Sequence, residues 1–239
     1  MGSFSKPPPQ PKEAISELTT GRLSIYLRCL SYLESQGEKT VSSHELASRF
    51  HLNSSQIRKD LAYFGELGIR GVGYDIRHLK EHLVRTLGMD QQRVVVIAGA
   101  GNLGVALANY RGFNSGSFQI AALLDSDPKK FGRKIPNEIL IEPFEHLEAI
   151  VRDRRVEIGI IAVPAESAQH VFDRFADAGI CAILNFAPVQ VRTRERVKLR
   201  NVDLRIHLET LSFFLQNAAG GECASTTDDQ PFIDQGRGK

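Results

Sequence analysis

Arg93-Val-Val-Val-Ile-Ala98 is a short β-branched run that passes straight into Gly99-Ala100-Gly101-Asn102-Leu103-Gly104, after which residues 105–110 read as a helix. Strand, glycine turn and helix in that order suit a phosphate. The first glycine permits a tight turn, the second lets backbone N–H groups approach a pyrophosphate, and the third lets the helix pack closely on the strand. The helix start then offers unpaired N–H groups and a partial positive charge to the anion. A second apolar run, Phe118-Gln-Ile-Ala-Ala-Leu-Leu124, ends in Asp125, about 20 residues past the last glycine, where a ribose-binding acid is expected. Such a carboxylate accepts from the ribose hydroxyls and repels a 2′-phosphate, so it favours NAD(H) over NADP(H). Lys129, Lys130 and Arg133 soften that preference. The alternatives for this stretch are a Rossmann-like domain that holds another nucleotide, such as coenzyme A, or none.

Downstream the pattern keeps alternating: helix over 143–155, buried strand over 156–163, helix over 165–178, strand over 180–184. Alternation of this kind predicts an α/β domain with a parallel sheet covered on both faces. Ligands of such sheets lie at the carboxyl ends of the strands. Two loops leave from there, one through Val163 and Pro164 and one through Asn185 and Phe186, and these residues are candidates for the nicotinamide side. A dehydrogenase would further need a substrate domain and a proton-handling group. His170 and His207 sit in no recognisable constellation, so no catalytic residue is assigned and an enzyme is not expected.

The ninety residues before the glycine loop have a different character. From Ala14 the residues Ile15, Leu18, Leu23, Tyr26, Leu27, Leu30 and Leu33 recur at helical spacing, with a break at Thr19-Thr-Gly21 and a stop at Gly37. Ser42-Ser-His-Glu45 is a capping box for a short second helix. Asn53 can cap a third helix over 54–64, with Gln56 reaching back to it. Ile57, Leu61 and Phe64 form its buried face, whereas Ser55, Gln56, Arg58, Lys59 and Ala62 collect opposite. A DNA-reading helix needs that division, since its N-terminal residues reach base edges while its apolar side anchors it. Residues 65–75 then alternate glycine with apolar residues around Arg70 and Gly71. They predict a small hairpin, a wing able to grip phosphate or enter a minor groove. Residues 76–87 complete the module as one more amphipathic helix.

The domain plan is therefore a tail over 1–13, a winged helix-turn-helix module over 14–88, a Rossmann-like NAD(H)-binding domain over 89–203, a C-terminal helix over 204–218, and a second tail over 219–239. Both tails are polar and are expected to be disordered. A chain of 239 residues accommodates two modest domains. The net charge of +2 neither supports nor excludes DNA, so that case rests on local placement. Cys29, Cys181 and Cys223 are widely spaced, without CxxC or a histidine at metal-ligand spacing. They read as reduced thiols of a cytoplasmic protein, with no metal site and no membrane span. In 204–218, Leu204, Leu208, Leu211 and Leu215 form one stripe and Phe213 and Phe214 lie off it, more apolar surface than one domain can cover. That helix is expected to pack between two subunits.

Assembled, the chain resembles the Rex family of redox-sensing transcriptional repressors. The resemblance runs from about residue 14 to residue 216. It rests on Arg22-Leu-Ser-Ile-Tyr-Leu-Arg28, Arg58-Lys-Asp-Leu-Ala-Tyr-Phe-Gly65, Arg70-Gly-Val-Gly-Tyr74, the Gly99 to Gly104 loop, and Asn185-Phe-Ala-Pro188. It implies a homodimer that holds palindromic operators when NAD⁺ prevails and releases them when NADH rises, the nucleotides acting as effectors. It also implies a domain-swapped C-terminal helix. The resemblance further implies a switch aspartate, Asp203, that changes partner between an arginine of the first helix, Arg28, and a tyrosine after the glycine loop, Tyr110. Some members carry a phenylalanine after that aspartate; here the residue is Leu204. The competing readings are a small NAD-dependent oxidoreductase and a nucleotide-binding scaffold of the coenzyme A type.

Overall fold

The computed structural model describes residues 16–65, 67–114 and 116–218; both expected tails lie outside them. The described chain divides into two units, one ending at Met89 and the other beginning at Asp90.

In the first unit, helix α1 (Glu17–Ser35) starts at Ser16, whose hydroxyl oxygen accepts from the Thr19 N–H. The expected break at Thr19-Thr-Gly21 is absent, because an interruption of the apolar pattern does not interrupt the backbone ladder. Leu18 is correspondingly 78% exposed and no part of the core. Gly37 does end the helix, in the left-handed region at φ 83°. Gly21 is exposed mid-helix, and a Cβ added there would meet no atom within 4 Å. Gly21→Ala should therefore stabilise this unit by up to about 1 kcal/mol, read as a raised thermal unfolding midpoint.

A short strand β1 (Thr40–Val41) leads into α2 (Ser43–Arg49), where the capping box forms in both directions between Ser42 and Glu45. Helix α3 (Ser54–Ala62) starts on Asn53, whose Oδ1 accepts from the Ser55 and Gln56 N–H groups. Strand β2 (Tyr74–Asp75) pairs antiparallel with β1, and α4 (Ile76–Thr86) starts from Asp75. Leu23, Leu30, Leu33, Leu46, Ile57, Leu61, Ile76, Leu79 and Leu83 are all buried in one apolar cluster. The module thus has a core of its own.

The second unit carries β3 (Arg93–Ala98), α5 (Asn102–Ala108), α6 (Arg111–Asn114), β4 (Phe118–Asp125), β5 (Ile141–Pro143), α7 (Leu147–Arg154), β6 (Ile158–Ile161), α8 (Ala165–Asp177), β7 (Ala182–Asn185), β8 (Lys198–Asn201) and α9 (Leu204–Ala218). Six parallel strands stand in the order β5-β4-β3-β6-β7-β8. Counted along the chain that order is 3-2-1-4-5-6, the doubly wound arrangement that reverses direction between β3 and β6 and leaves a crevice there. Val96 and Ala98 of β3 pack toward α7 and α8, while Val95 and Ile97 pack with Val105, Leu107 and Ala108 of α5. Alternate residues thus bury on opposite faces, which is why the run is apolar without a break.

Two strands differ from the expectation. β5 (Ile141–Pro143) ends on Pro143, the first residue of the expected 143–155 helix, and α7 starts only at Leu147; a proline has no N–H to donate but is tolerated at a sheet edge. β8, Lys-Leu-Arg-Asn, is an edge strand with little buried surface and so carries no apolar run.

Candidate nucleotide cleft and nucleic-acid interface

The three glycines of the loop between β3 and α5 meet three distinct demands. Gly99 sits at φ 104°, and a Cβ there would lie 2.3 Å from the Ala162 carbonyl oxygen. At Gly104 it would lie 1.7 Å from the Gly99 carbonyl oxygen, so this residue is what lets α5 close on the turn. Around Gly101 it would meet nothing within 4 Å. Gly101 also caps α5 without any side-chain hydrogen bond, and Gly101, Asn102 and Leu103 are exposed. Two glycines are thus required by the protein's own packing, whereas Gly101 leaves the backbone of the turn accessible. That is the fit a pyrophosphate needs.

Asp125 ends β4 beside this loop and is 8% exposed. Its Oδ2 accepts from the Ala100 N–H and the Lys130 ammonium, both at 2.8 Å, and its Oδ1 from the Asp127 N–H at 2.8 Å. Burial by itself would raise its pKa, but Lys130 and the two backbone donors outweigh that and hold the carboxyl below its usual range. A carboxylate has about four acceptor positions, so most of this one is committed to shaping the loop. Lys130 is held against Asp125 and offsets its charge.

On the far side of Gly99, Val163 and Pro164 follow β6 and Phe186 follows β7. The Phe186 N–H donates to the Ile161 carbonyl, and its ring packs in the same cluster as Val95 and Ile97. Asn185 stands differently from the expectation. It is fully buried; its Nδ2 donates to Ala187 O, Val189 O and Asn201 Oδ1, and its Oδ1 accepts from the Ala187 N–H. Its side-chain amide is consumed in shaping the 185–189 loop that carries Phe186. Tyr110 follows α5, is 57% exposed and stands edge-on to Phe113. Asp203 caps α9, accepting from the Arg205 N–H at 2.9 Å. Arg28 is an exposed residue of α1 in the other unit.

In the first unit, α3 faces a concavity of about 730 Å³ shared with the residue 65–74 loop and lined by Ser42, Ser43, Arg58, Arg70 and Tyr74 among others. The loop is the expected hairpin in miniature. Ile69 and Gly73 exchange two backbone hydrogen bonds, of 2.8 and 2.9 Å, with Arg70, Gly71 and Val72 at the tip. Gly71 adopts φ 83°, which the turn requires. Ser55, Arg58, Lys59, Arg70 and Gly71 are exposed, and Arg58 is steadied by Ser43, to whose Oγ its Nη1 donates at 3.0 Å.

Gln56 departs from the expectation. Its side chain does not reach back to Asn53; its Nε2 donates forward to Asp60 Oδ1 at 2.8 Å. Asp60 is 4% exposed and also accepts from Arg22 Nε (2.6 Å), Arg22 Nη2 (2.8 Å) and the Tyr26 hydroxyl (2.9 Å). Asp60 is not among the site residues expected from the sequence. The signal was a carboxylate in phase with the apolar face of Ile57, Leu61 and Phe64, opposite the i, i+4 pair Arg22 and Tyr26. Burial works against its ionisation, yet the hydrogen bonds from Arg22, Gln56 and Tyr26 hold its pKa below the ordinary value.

Among the described residues there is no cluster of histidine, cysteine or acidic side chains able to hold a metal ion, and no helix long and apolar enough to cross a membrane. Cys29 is fully buried, and burial pushes its thiol up to about 12. Cys181 is exposed. Alkylation of the native protein at pH 8, read by peptide mass spectrometry, should label Cys181 and spare Cys29.

Comparison with known proteins agrees with this division. Residues 14–62 match the family described as putative DNA-binding protein N-terminus, and residues 90–189 match the CoA binding domain family. The chain is 47% identical over 211 residues to the redox-sensing transcriptional repressor Rex of Streptomyces coelicolor, covering 88% of this chain and 81% of that protein. The chain belongs to the Rex family. The Rex of Carboxydothermus hydrogenoformans is 48% identical over 199 residues, with 83% of this chain and 95% of that protein covered. Among solved structures, the Rex-family repressor RSP in complex with β-NAD⁺ and operator DNA superposes with a TM-score of 0.82 at 36% identity, covering 87% of this chain and 95% of that one. RSP in complex with β-NADH gives a TM-score of 0.77 at the same identity, covering 87% and 97%.

Proposed function

We propose that this Rex-family chain is a transcriptional repressor that reads the NADH/NAD⁺ ratio, binding palindromic operator DNA as a cytoplasmic homodimer and leaving it when NADH accumulates, with no catalytic turnover. The observation that carries this reading is the likeness, over 87% of the chain, to a repressor solved with operator DNA and β-NAD⁺ and also with β-NADH. The domain plan is the one read from the sequence: DNA-binding module over 14–88, NAD(H)-binding domain over 89–203, swapped helix over 204–218.

In this reading α3 enters the major groove through Ser55, Gln56, Arg58 and Lys59, and the Arg70–Gly71 tip contacts backbone or minor groove. The nucleotide lies with its pyrophosphate at residues 99–104, its ribose toward Asp125, and its nicotinamide toward Val163, Pro164 and Phe186. NADH carries an uncharged dihydropyridine and NAD⁺ a cationic pyridinium, so an apolar cleft favours the reduced form. Tighter binding of NADH to the form that cannot hold DNA shifts the population toward it, and operator DNA weakens NADH binding by the same factor. The exposed apolar helix α9 supplies the dimer contact, and Asp203 at its start changes partner between Arg28 and Tyr110.

The test is fluorescence anisotropy of a labelled palindrome, selected from a random pool with this protein and titrated with NADH and NAD⁺ separately. Release by NADH at concentrations where NAD⁺ has little effect is expected. Selection of no DNA, or indifference to both nucleotides, would overturn the reading. The match of residues 90–189 to the CoA binding domain family keeps one competitor in the same assay: coenzyme A binding more tightly than NADH, without operator affinity, would make the chain a nucleotide-binding scaffold. Turnover of NADH with a carbonyl substrate would make it an oxidoreductase.

A further inference from the structure

The reading face of α3 is held from behind. Gln56 occupies the third position of the helix, half-exposed, with its Nε2 on Asp60. Asp60 accepts four hydrogen bonds, two from Arg22 and one each from Tyr26 and Gln56. An ionised carboxylate only accepts, whereas an amide end can donate or accept depending on which way it is turned. The contact between Gln56 and Asp60 therefore has one allowed sense: the NH₂ end faces inward. The carbonyl Oε1 and the second N–H remain for whatever approaches the helix.

We propose that Asp60 is a positioning residue for sequence discrimination, which fixes the orientation of the Gln56 amide so that Gln56 presents an acceptor oxygen to the base edge it meets. The chemistry of the major groove states what that selects. Adenine offers an exocyclic N6–H₂ donor beside the N7 acceptor, and cytosine offers an N4–H₂ donor, whereas guanine and thymine present acceptors at the equivalent place. A clamped Gln56 presents Oε1 beside its second N–H, the pair that matches adenine N6–H₂ and N7, or accepts from cytosine N4–H₂; guanine and thymine set an acceptor against Oε1 and are disfavoured, whereas an unclamped amide turns over and tolerates all four. Arg22 and Tyr26 belong to the device because they keep Asp60 charged and stationary. The helix-to-helix contact of α1 with α3 thereby becomes a determinant of which operator is read. This inference rests on the DNA-binding reading proposed above.

The test measures affinity for every single-base-pair variant of the selected operator, with the full-length wild type, Asp60→Asn, Gln56→Ala and Gln56→Glu. In Asp60→Asn the new amide can offer either of its ends to Gln56, so the inward sense is no longer imposed. Gln56→Glu keeps length and shape and carries acceptor oxygens whichever way it is turned, so it should keep the preference for adenine or cytosine without any clamp, and it tests the presented acceptor should Asp60→Asn fail to fold. The wild type should discriminate by roughly tenfold at the base pair that Gln56 reads; Asp60→Asn and Gln56→Ala should flatten that one position to below about threefold, and Gln56→Glu should keep it. Preferences at the other positions should survive. A merely structural Asp60 would instead weaken all sequences together with the profile intact, and that result overturns the proposal, as does a flattened profile in Gln56→Glu. If the wild type selects no DNA at all, the proposed function itself has failed; if it selects DNA and Asp60→Asn leaves the profile unflattened or Gln56→Glu flattens it, only this inference has.

Discussion

The Gly104→Ala variant is expected to lose at least about 100-fold in NADH affinity, roughly 2.7 kcal/mol, and to keep hold of operator at NADH concentrations that release the wild type. The added Cβ would lie 1.7 Å from the Gly99 carbonyl oxygen, so either α5 or the turn has to move. The turn is pinned from both sides. The Gly99 N–H donates to the Leu124 carbonyl at 2.7 Å, and Gly99 lies against the Ala162 carbonyl of the segment after β6. The helix therefore gives way, carrying the Gly101, Asn102 and Leu103 N–H groups off their aim. Overpacking of this kind costs about 1–3 kcal/mol, and here it falls on the loop that positions the phosphate. Calorimetric titration with NADH and anisotropy with labelled operator separate the two effects. Operator binding should persist because residues 23–83 bury a separate cluster. NADH binding within threefold of the wild type would place the nucleotide elsewhere.

Asp60→Ala should destabilise the DNA-binding unit by about 3 kcal/mol, the lower end of the range for breaking a buried ion pair, because the Arg22 side chain is 31% exposed and recovers water. The Tyr26 hydroxyl, on a residue 1% exposed, is left without its acceptor and contributes to that cost. The acid limb of the stability profile follows from the same group. The folded-state pKa of Asp60 is depressed, so its stabilisation is fully present above the unfolded value of about 3.9 and is lost as pH falls through the lower folded value. Wild-type stability should thus decline below about pH 4, and Asp60→Ala should show a shallower decline there. Chemical denaturation at a series of pH values measures both. Equal stability of the two proteins at neutral pH would mean the clamp contributes nothing net.

How much of this could be seen in the sequence depends on how local the cause was. The glycine loop was legible residue by residue, because a turn, a close approach and a helix contact each leave a glycine at a fixed spacing. Asn53 and the Ser42–Glu45 box were legible for the same reason: a cap and its partners lie within a few residues. What failed was non-local. Asp60 meets Arg22 and Tyr26 across more than thirty residues, and nothing in the helical period says that a charge in the apolar phase will find an arginine. Asn185 looked like a cleft residue because it ends a strand at the carboxyl edge. Its partner Asn201 lies on β8, whose Lys-Leu-Arg-Asn composition conceals a strand, so the register that consumes the Asn185 amide could not be read. Asp125 was found by spacing, but its lysine partner came from a 3₁₀ turn, Pro128–Lys130, that only the fold brings back to the sheet edge.

Along α9, seven large apolar side chains from Leu204 to Leu215 are each at least half exposed. Whatever surface covers them, the free energy of covering belongs to a complex and so obeys mass action. Its magnitude depends on how many copies of the chain and its cover a cell contains. Abundance is then a second input beside the nucleotide ratio: dilution uncovers α9 and withdraws that stabilisation even when the dinucleotide pool does not change.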